Sequence, residues 1–258
     1  MPENAYDEVL YEGHPFAQTH PDRLATIARL FGMSPALPGN CRLLEIGCGD
    51  GGNLVPMAYT LPGSRFVGID AGGRGIEKGS QLAREAGVEN VELLHGDILA
   101  TGAELGAFDY IVAHGVYSWT PPAVQEKILS LCAGLLRPNG VAYISYSVYP
   151  GAHIRQMVAE ILQDRAARFD DPAAKIEQAR AMLGFLAGGS ALMRQEFERL
   201  ALRRPATLFH DELAPHHYPL YFREFASPRY CRWRTSPTCR RPDSRRKSPR
   251  SCGSWRRD

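Results

Sequence analysis

The chain has 258 residues, 44% hydrophobic and 22% charged, the proportions of a globular protein with one good core and a smaller second element. No uninterrupted apolar run reaches membrane-spanning length, and Met1-Pro2-Glu3-Asn4 opens no basic-then-apolar leader, so neither a membrane span nor secretion is expected. The formal net charge of +2 averages two unlike parts, since residues 227–258 hold 11 Lys/Arg against 2 Asp while residues 1–226 hold 19 against 26, and it gives no ground for reading the whole as a nucleic-acid binder.

In chain order, residues 1–20 show no clear periodicity but carry Tyr6, Tyr11, His14, Phe16 and His20. Thr19 or His20 caps a helix with Pro21 in its first turn and Leu24, Ile27, Ala28 and Phe31 on one face. That helix suits a sheet edge, and the segment before it suits a lid over a pocket; the two are compatible. Gly32 and the Pro35–Gly39 stretch end it. A strand over Arg42–Ile46 runs into the Gly47-x-Gly49-x-Gly51 turn, and a helix follows at Leu54–Tyr59. Strand two is Arg65–Ile69, ending in Asp70, and a helix near Gly75–Ala86 is stopped by Gly87. Strand three is Val91–Leu94 with Gly96-Asp97 just beyond, and strand four is Phe108–Ala113. Pro121 and Pro122 start a helix with a Val124, Ile128, Leu131, Leu135 stripe, Pro138-Asn139-Gly140 is a turn, and strand five is Val141–Tyr146. Apolar strands alternating with helices mean an α/β fold: a parallel sheet with helices on both faces. The rhythm changes after Gly151. Residues 152–204 carry helical spacing, in runs around Val158, Leu183 and Leu200 with a break at Gly188-Gly189, and this appendage covers a sheet face, forms a dimer surface or selects a substrate. The expected division is therefore a core over 1–150, a helical region over 151–226 and a tail over 227–258.

The glycine turn is the centre of this plan. Its glycines permit dihedrals and close ligand approach that a side chain forbids. A dinucleotide dehydrogenase wants Gly-x-Gly-x-x-Gly, and Gly52 completes that longer pattern too, so the turn alone leaves a nicotinamide-dependent oxidoreductase open. Glu45 argues the other way: an anion so close to the turn repels phosphates and suits an amine-bearing ligand. Six cysteines lie at irregular spacings, with Cys41, Cys48 and Cys132 in strand, turn and helix contexts typical of a reduced, cytoplasmic protein.

The run Glu45-Ile46-Gly47-Cys48-Gly49-Asp50-Gly51-Gly52-Asn53 resembles the first motif of the class I S-adenosylmethionine-dependent methyltransferases. Tyr11 to Pro21 and His114-Gly115-Val116-Tyr117-Ser118-Trp119-Thr120-Pro121-Pro122 are similar to a bacterial subgroup in which a methyltransferase regulatory domain follows, over about Tyr6 to Phe225. The resemblance implies S-adenosyl-L-methionine as cofactor. It places Gly47, Cys48, Gly49 and Gly51 against the methionine part and Glu45 near its amino group, and it puts Ala113 and His114 beside the sulfonium. Asp70 ends strand two with two acceptor oxygens for vicinal ribose hydroxyls. Asp97 is placed for the adenine amino group, with Ile98 on the ring. Each acid alone is as readily a turn or helix cap. The glycine-rich Ala71–Gly75 departs from the family pattern and is expected to loosen the ribose side of the pocket.

Methyl transfer needs a nucleophile held in line and little else, so no universal catalytic residue is expected. His114 is the candidate base, Tyr117 a second catalytic candidate, and Tyr117 with Trp119 a candidate aromatic wall. A loop or packing role fits each equally. No Asn-Pro-Pro-Tyr run follows strand four, which sets aside the usual base and glutamine amino methyltransferase pattern. The acceptor stays open between a small molecule, a protein and a lipid-like group, with a homodimer as a possible assembly and neither membrane nor nucleic acid expected as partner. A non-catalytic relative that keeps the nucleoside pocket is the remaining alternative. Past Ala226 the chain departs from the family. It has no Leu, Ile or Val to build a core, and its Arg, Ser, Pro and Cys are what a GC-rich gene yields out of frame. A basic arm for nucleic acid or anionic surfaces is the alternative. Cys231, Cys239 and Cys252 are too widely spaced for a zinc knuckle, so no metal is expected.

Overall fold

Five apolar stretches pair as one parallel sheet in the computed structural model, which describes residues 9–189, 194–214 and 216–227. The expectations for Tyr6 and for the tail beyond Ser227 lie outside these residues. The strands are β1 (Arg42–Ile46), β2 (Arg65–Asp70), β3 (Val91–His95), β4 (Phe108–Ala113) and β5 (Leu136–Ile144), in the order β3-β2-β1-β4-β5. Leu44 of β1 stands opposite Val67 of β2 and Ile111 of β4, an aliphatic row across the centre of the sheet. The chain moves outward from β1 to β3 and then returns to β4 on the other side of β1. That reversal opens a crevice beyond the carboxyl ends of β1 and β4.

Strand alternation sends successive residues to opposite faces. Leu43 joins a cluster with Leu24 and Ala25 of α1 (Pro21–Leu30), Leu54 and Met57 of α2 (Leu54–Thr60), and Phe66 and Tyr110. Leu44 and Ile46 join the other face with Ile128, Leu131 and Leu135 of α4 (Pro122–Leu135). Glu45, between them, falls on the α1 and α2 side, which is why a carboxylate is buried there. The α3 helix (Gly73–Glu85) closes at Gly87, in the left-handed region at φ 66°, as its sequence implied.

Three local expectations are corrected. The buried stripe of α1 is Pro21, Leu24, Ala25 and Ala28, with Ile27 and Phe31 facing outward, because the helix is rotated so that its small residues meet the sheet. The Pro138–Gly140 turn does not precede β5 but lies within it. Phe108 pairs with Leu136 and Tyr110 with Val141, so residues 137–140 bulge opposite Asp109, with Asn139 at φ 63° and Arg137 bonded to the Asp109 carboxylate at 2.8 Å. The strand correspondingly ends at Ile144, short of Tyr146.

The appendage consists of α5 (Ala152–Ala166), α6 (Pro172–Gly189) and α7 (Arg194–Ala201). It has a core of its own, with Val158, Leu162, Leu183, Phe197, Leu200 and Leu208 all buried. A π-helical turn at Leu208–Glu212 and a short helix, α8 (Phe222–Phe225), follow. Beyond β5, Val148 pairs in parallel with Leu220, and this brings residues 216–221 back beside the sheet. Among the described residues no helix is long and apolar enough to cross a membrane.

Candidate functional site

The crevice at the β1/β4 reversal is a cavity of about 490 Å³. Gly47, Gly49 and Gly51 take φ of 72°, 56° and 69°, so the chain reverses within one short turn. Asp70 at the end of β2 braces that turn: one oxygen accepts from Gly49 N and the other from Gly72 N, both at 2.8 Å.

Glu45 lines the cavity while only 4% exposed. Its Oε1 accepts from Asn53 Nδ2 at 2.7 Å, and its Oε2 is buried without a hydrogen-bond partner. Burial pushes its carboxyl up to about 7, against the Asn53 hydrogen bond and with the Asp70 charge adding to the rise. An orphaned, buried carboxylate oxygen on a cavity wall fits an ammonium group.

Glu45, Gly47, Cys48, Gly49, Asp70, Asp97, Ile98 and His114 are brought together on this cavity. Asp97 is exposed and also accepts from Leu99 N at 2.8 Å, so it caps the short turn after β3 while facing the pocket. The Cys48 thiol sits against Gly68 of β2 and is held well above its ordinary range by burial and by the Asp70 and Glu45 charges, which leaves it inert. Gly51 and Ala113 do not line the cavity: Gly51 packs toward Val55 and Leu93, and Ala113 is buried in the sheet. Tyr117 is a correction of the same kind. It is fully buried beside Tyr146 and Phe225 and does not line the cavity.

The glycine-rich stretch after Asp70 has another reason than the one expected. Gly75 and Gly79 face the Gly49 and Asp50 backbone, and a methyl group at Gly79 would collide with the Asp50 carbonyl. These glycines let α3 pack directly on the cofactor turn.

The lid expectation has a definite geometry. Leu10, Tyr11, Gly13, His14 and Phe16 line the cavity as a strap. Gly13 N donates to Asp50 Oδ1 at 3.0 Å and Phe16 N donates to Asn53 Oδ1 at 2.9 Å. At its other end the Val9 carbonyl accepts from His210 Nε2 at 2.6 Å, which fixes the tautomer of that ring. The Phe16 ring lies 4.2 Å from both His14 and His114. Burial, and then the neighbouring His14, lowers the His114 pKa, so its imidazole is neutral at pH 7 and able to take a proton.

The sequence left a substrate-selecting appendage open but did not single out the residues it brings to the cavity. Arg155 of α5 and His210 and Asp211 of the π turn reach the same cavity. Arg155 lies 4.9 Å from the centre of the Trp119 ring, and His217 stacks on Trp119 at 4.2 Å and 13°. Burial and the Arg155 charge lower His217 to about 4, so it stacks as a neutral ring. No periodicity marks these residues; a buried acid pair ending an apolar helical region was the available signal.

Residues 37–196 match the methyltransferase domain family. An uncharacterized protein of Rickettsia prowazekii is 36% identical over 230 residues, covering 86% of this chain and 42% of that protein. A second uncharacterized protein of the same organism is 34% identical over 229 residues, covering 86% and 92%. Among solved structures, PKMT2 from Rickettsia typhi in complex with AdoHcy superposes with a TM-score of 0.75 at 35% identity, over 83% of this chain and 43% of that one. The chain thus spans less than half the length of the first of these relatives and of PKMT2.

Proposed function

The chain belongs to the methyltransferase domain family, built on the class I Rossmann-like sheet, and from that premise we propose that it transfers a methyl group from S-adenosylmethionine to an acceptor at the His114 end of the cavity. The observation that carries this reading is the buried Glu45 Oε2, which lacks a partner on a cavity wall where the glycine turn and Asp70 converge. PKMT2, whose sheet is similar and which binds AdoHcy, supports the same site.

When bound, the sulfonium supplies an electrophilic methyl group. Glu45 holds the ammonium end and Asp70 the ribose hydroxyls. Asp97 and Ile98 meet the adenine. His114, neutral and half-buried, accepts the proton of an acceptor that arrives protonated. Trp119, held by contacts with Arg155 and His217, is the acceptor-side wall. Rate enhancement comes mainly from holding the two reactants in line in a cavity shielded by the strap.

The regulatory-domain subgroup extends this proposal to residues 151–226, supported by the appendage residues that line the cavity. Residues 227–258 are read as translated out of frame, supported by their composition and checked by resequencing the gene. A cytoplasmic location accords with buried free Cys41, Cys48 and Cys132.

The first test is a thermal melt of the full chain with and without S-adenosylhomocysteine. At a hundred times Kd the ligand adds about 2.7 kcal/mol, and the midpoint rises by about 5–10 °C. NADH gives no shift. A cooperative melt indifferent to S-adenosylhomocysteine overturns the assignment. Binding without methyl consumption across amine, protein and lipid acceptors favours the non-catalytic relative instead.

A further inference from the structure

Asn53 spends its hydrogen bonds on two structures that have no other reason to be joined. We infer that Asn53 is a positioning residue that couples capture of the cofactor by Glu45 to seating of the strap Leu10–Phe16 over the cavity. This rests on the proposed cofactor site and adds a regulation of it.

The side chain is buried, at 4% exposure. Its Nδ2 donates to Glu45 Oε1 at 2.7 Å and to Thr19 Oγ1 at 3.0 Å, and its Oδ1 accepts from Phe16 N at 2.9 Å. Thr19 in turn donates its hydroxyl proton to the Phe16 carbonyl at 2.8 Å. One amide therefore fixes both the carboxylate and the end of the strap, and a displacement at either is felt at the other. The rest of the strap is tied to the same turn through Gly13 N and Asp50, whose other oxygen faces Lys78 Nζ at 3.4 Å.

The coupling has a proton in it. Glu45 has one stabilising donor and an orphaned oxygen, and burial brings its carboxyl to about 7. The charge acting on it is Asp70 at the end of β2, which opposes ionisation, and Asp50, Asp97, Arg155 and Asp211 line the same cavity. The Cys48 thiol beside it stays neutral, and His14 of the strap and His114 after β4 share the cavity. An ammonium at Oε2 favours the carboxylate, so the O–H bond breaks and the proton leaves to solvent. Affinity then rises with pH through 7 and falls again once the ligand's own α-ammonium loses its proton at alkaline pH. From pH 6 to 8 the ionised fraction of such a group grows about tenfold, and at pH 7 binding releases about half a proton.

Calorimetry with S-adenosylhomocysteine at pH 6 to 9, in buffers of different ionisation enthalpy, tests this on the full chain. Wild type is expected to show the tenfold rise and the half proton. Hydrogen exchange of the Gly13 and Phe16 amides is expected to slow on binding. Asn53→Asp keeps an acceptor for Phe16 N but sets a second carboxylate against Glu45, so the pH profile moves up by about a unit or more while Phe16 stays protected. Asn53→Ala also moves the profile up, and strap exchange becomes fast and insensitive to ligand. Uniformly weaker binding of Asn53→Asp, with the profile unmoved, makes Asn53 merely structural and overturns the inference. So does a flat wild-type profile, or strap exchange that ignores the ligand; these readouts on wild type decide even if a variant fails to fold. No binding at any pH removes the cofactor site, and this inference with it.

Discussion

Asp70→Ala is expected to weaken S-adenosylhomocysteine binding by about 100-fold or more while the chain still melts cooperatively. The carboxylate does two things at once. It is the proposed ribose acceptor, and it accepts from Gly49 N and Gly72 N, so it holds the glycine turn against the start of α3. Hydrogen bonds to a charged group contribute about 1.5–3 kcal/mol each, so losing the ribose contacts alone reaches the hundredfold level. The two stranded amides add about 1–3 kcal/mol each to the cost of the closed turn. Asp70→Asn is expected to fare little better, because an amide turns one NH2 toward one of the two backbone donors. Asp97→Ala is the contrast. That side chain is exposed and tied locally to Leu99 N, so a loss of only a few-fold is expected. Titration calorimetry on both variants measures the ratio, and equal losses at the two positions would sink the claim that Asp70 organises the site.

Much of the fold was legible because its signals are local. Parallel strands buried on both faces read as short continuous apolar runs, and β1 and β4 have the bounds their sequences implied. The helix ends were equally plain: His20 Nδ1 accepts from Asp22 N at the start of α1, as a capping residue before Pro21 should. What failed was rotation and pairing. Whether Ile27 or Ala25 faces the sheet is decided by how closely α1 must approach β1 and α2, and propensity along the helix carries no such information. The same holds for residues 137–140: turn chemistry marked Asn139 correctly, yet only pairing with β4 makes that turn a bulge inside a strand.

The gathering of the strand-end residues on one cavity, the proposed cofactor wall, was legible for a different reason. Its residues lie at strand ends, and the topology of an alternating α/β chain brings strand ends together. The acceptor wall obeys no such rule. Arg155, His210 and Asp211 are separated from the glycine turn by the whole sheet and arrive only because the appendage folds back on it. Tyr117 shows the converse limit. It stands two residues before Trp119, close to the transfer point in sequence, but the short turn after β4 directs it into the core and leaves Trp119 on the cavity. Asp50 and Asn53 were in plain view within the glycine motif. Their partners, Gly13 and Phe16, were not, because a segment without periodicity gives no register for its amides.

Glu212→Ala is expected to destabilise the chain by about 3–5 kcal/mol, enough to lower the midpoint of its melt by about 10 °C or more. Glu212 is fully buried and meets Arg155 at 2.9 Å and Arg203 at 3.1 Å, while Asp211 meets the same two guanidinium groups at 2.8 and 2.9 Å. Two cations and two anions balance. Removing one anion leaves two partly buried guanidinium groups to share the single Asp211 carboxylate, with one positive charge uncompensated, which is the costly way to break such a cluster. Arg203→Met combined with Glu212→Leu removes one charge of each sign and leaves the Arg155–Asp211 pair, so most of the loss should be recovered. If the double variant melts as low as Glu212→Ala, the deficit is one of packing and the charge argument fails. The same variants report on the cavity. The π turn that carries Glu212 also carries His210 and Asp211 into the pocket wall, and π turns of this kind recur at functional sites. Arg155 passes the constraint on to Trp119, so in a Trp233→Phe/Trp255→Phe background the fluorescence of Trp119 should change with Glu212→Ala and return with the charge-balanced pair. A buried ion cluster in the appendage would then be setting the shape of the wall that the acceptor meets.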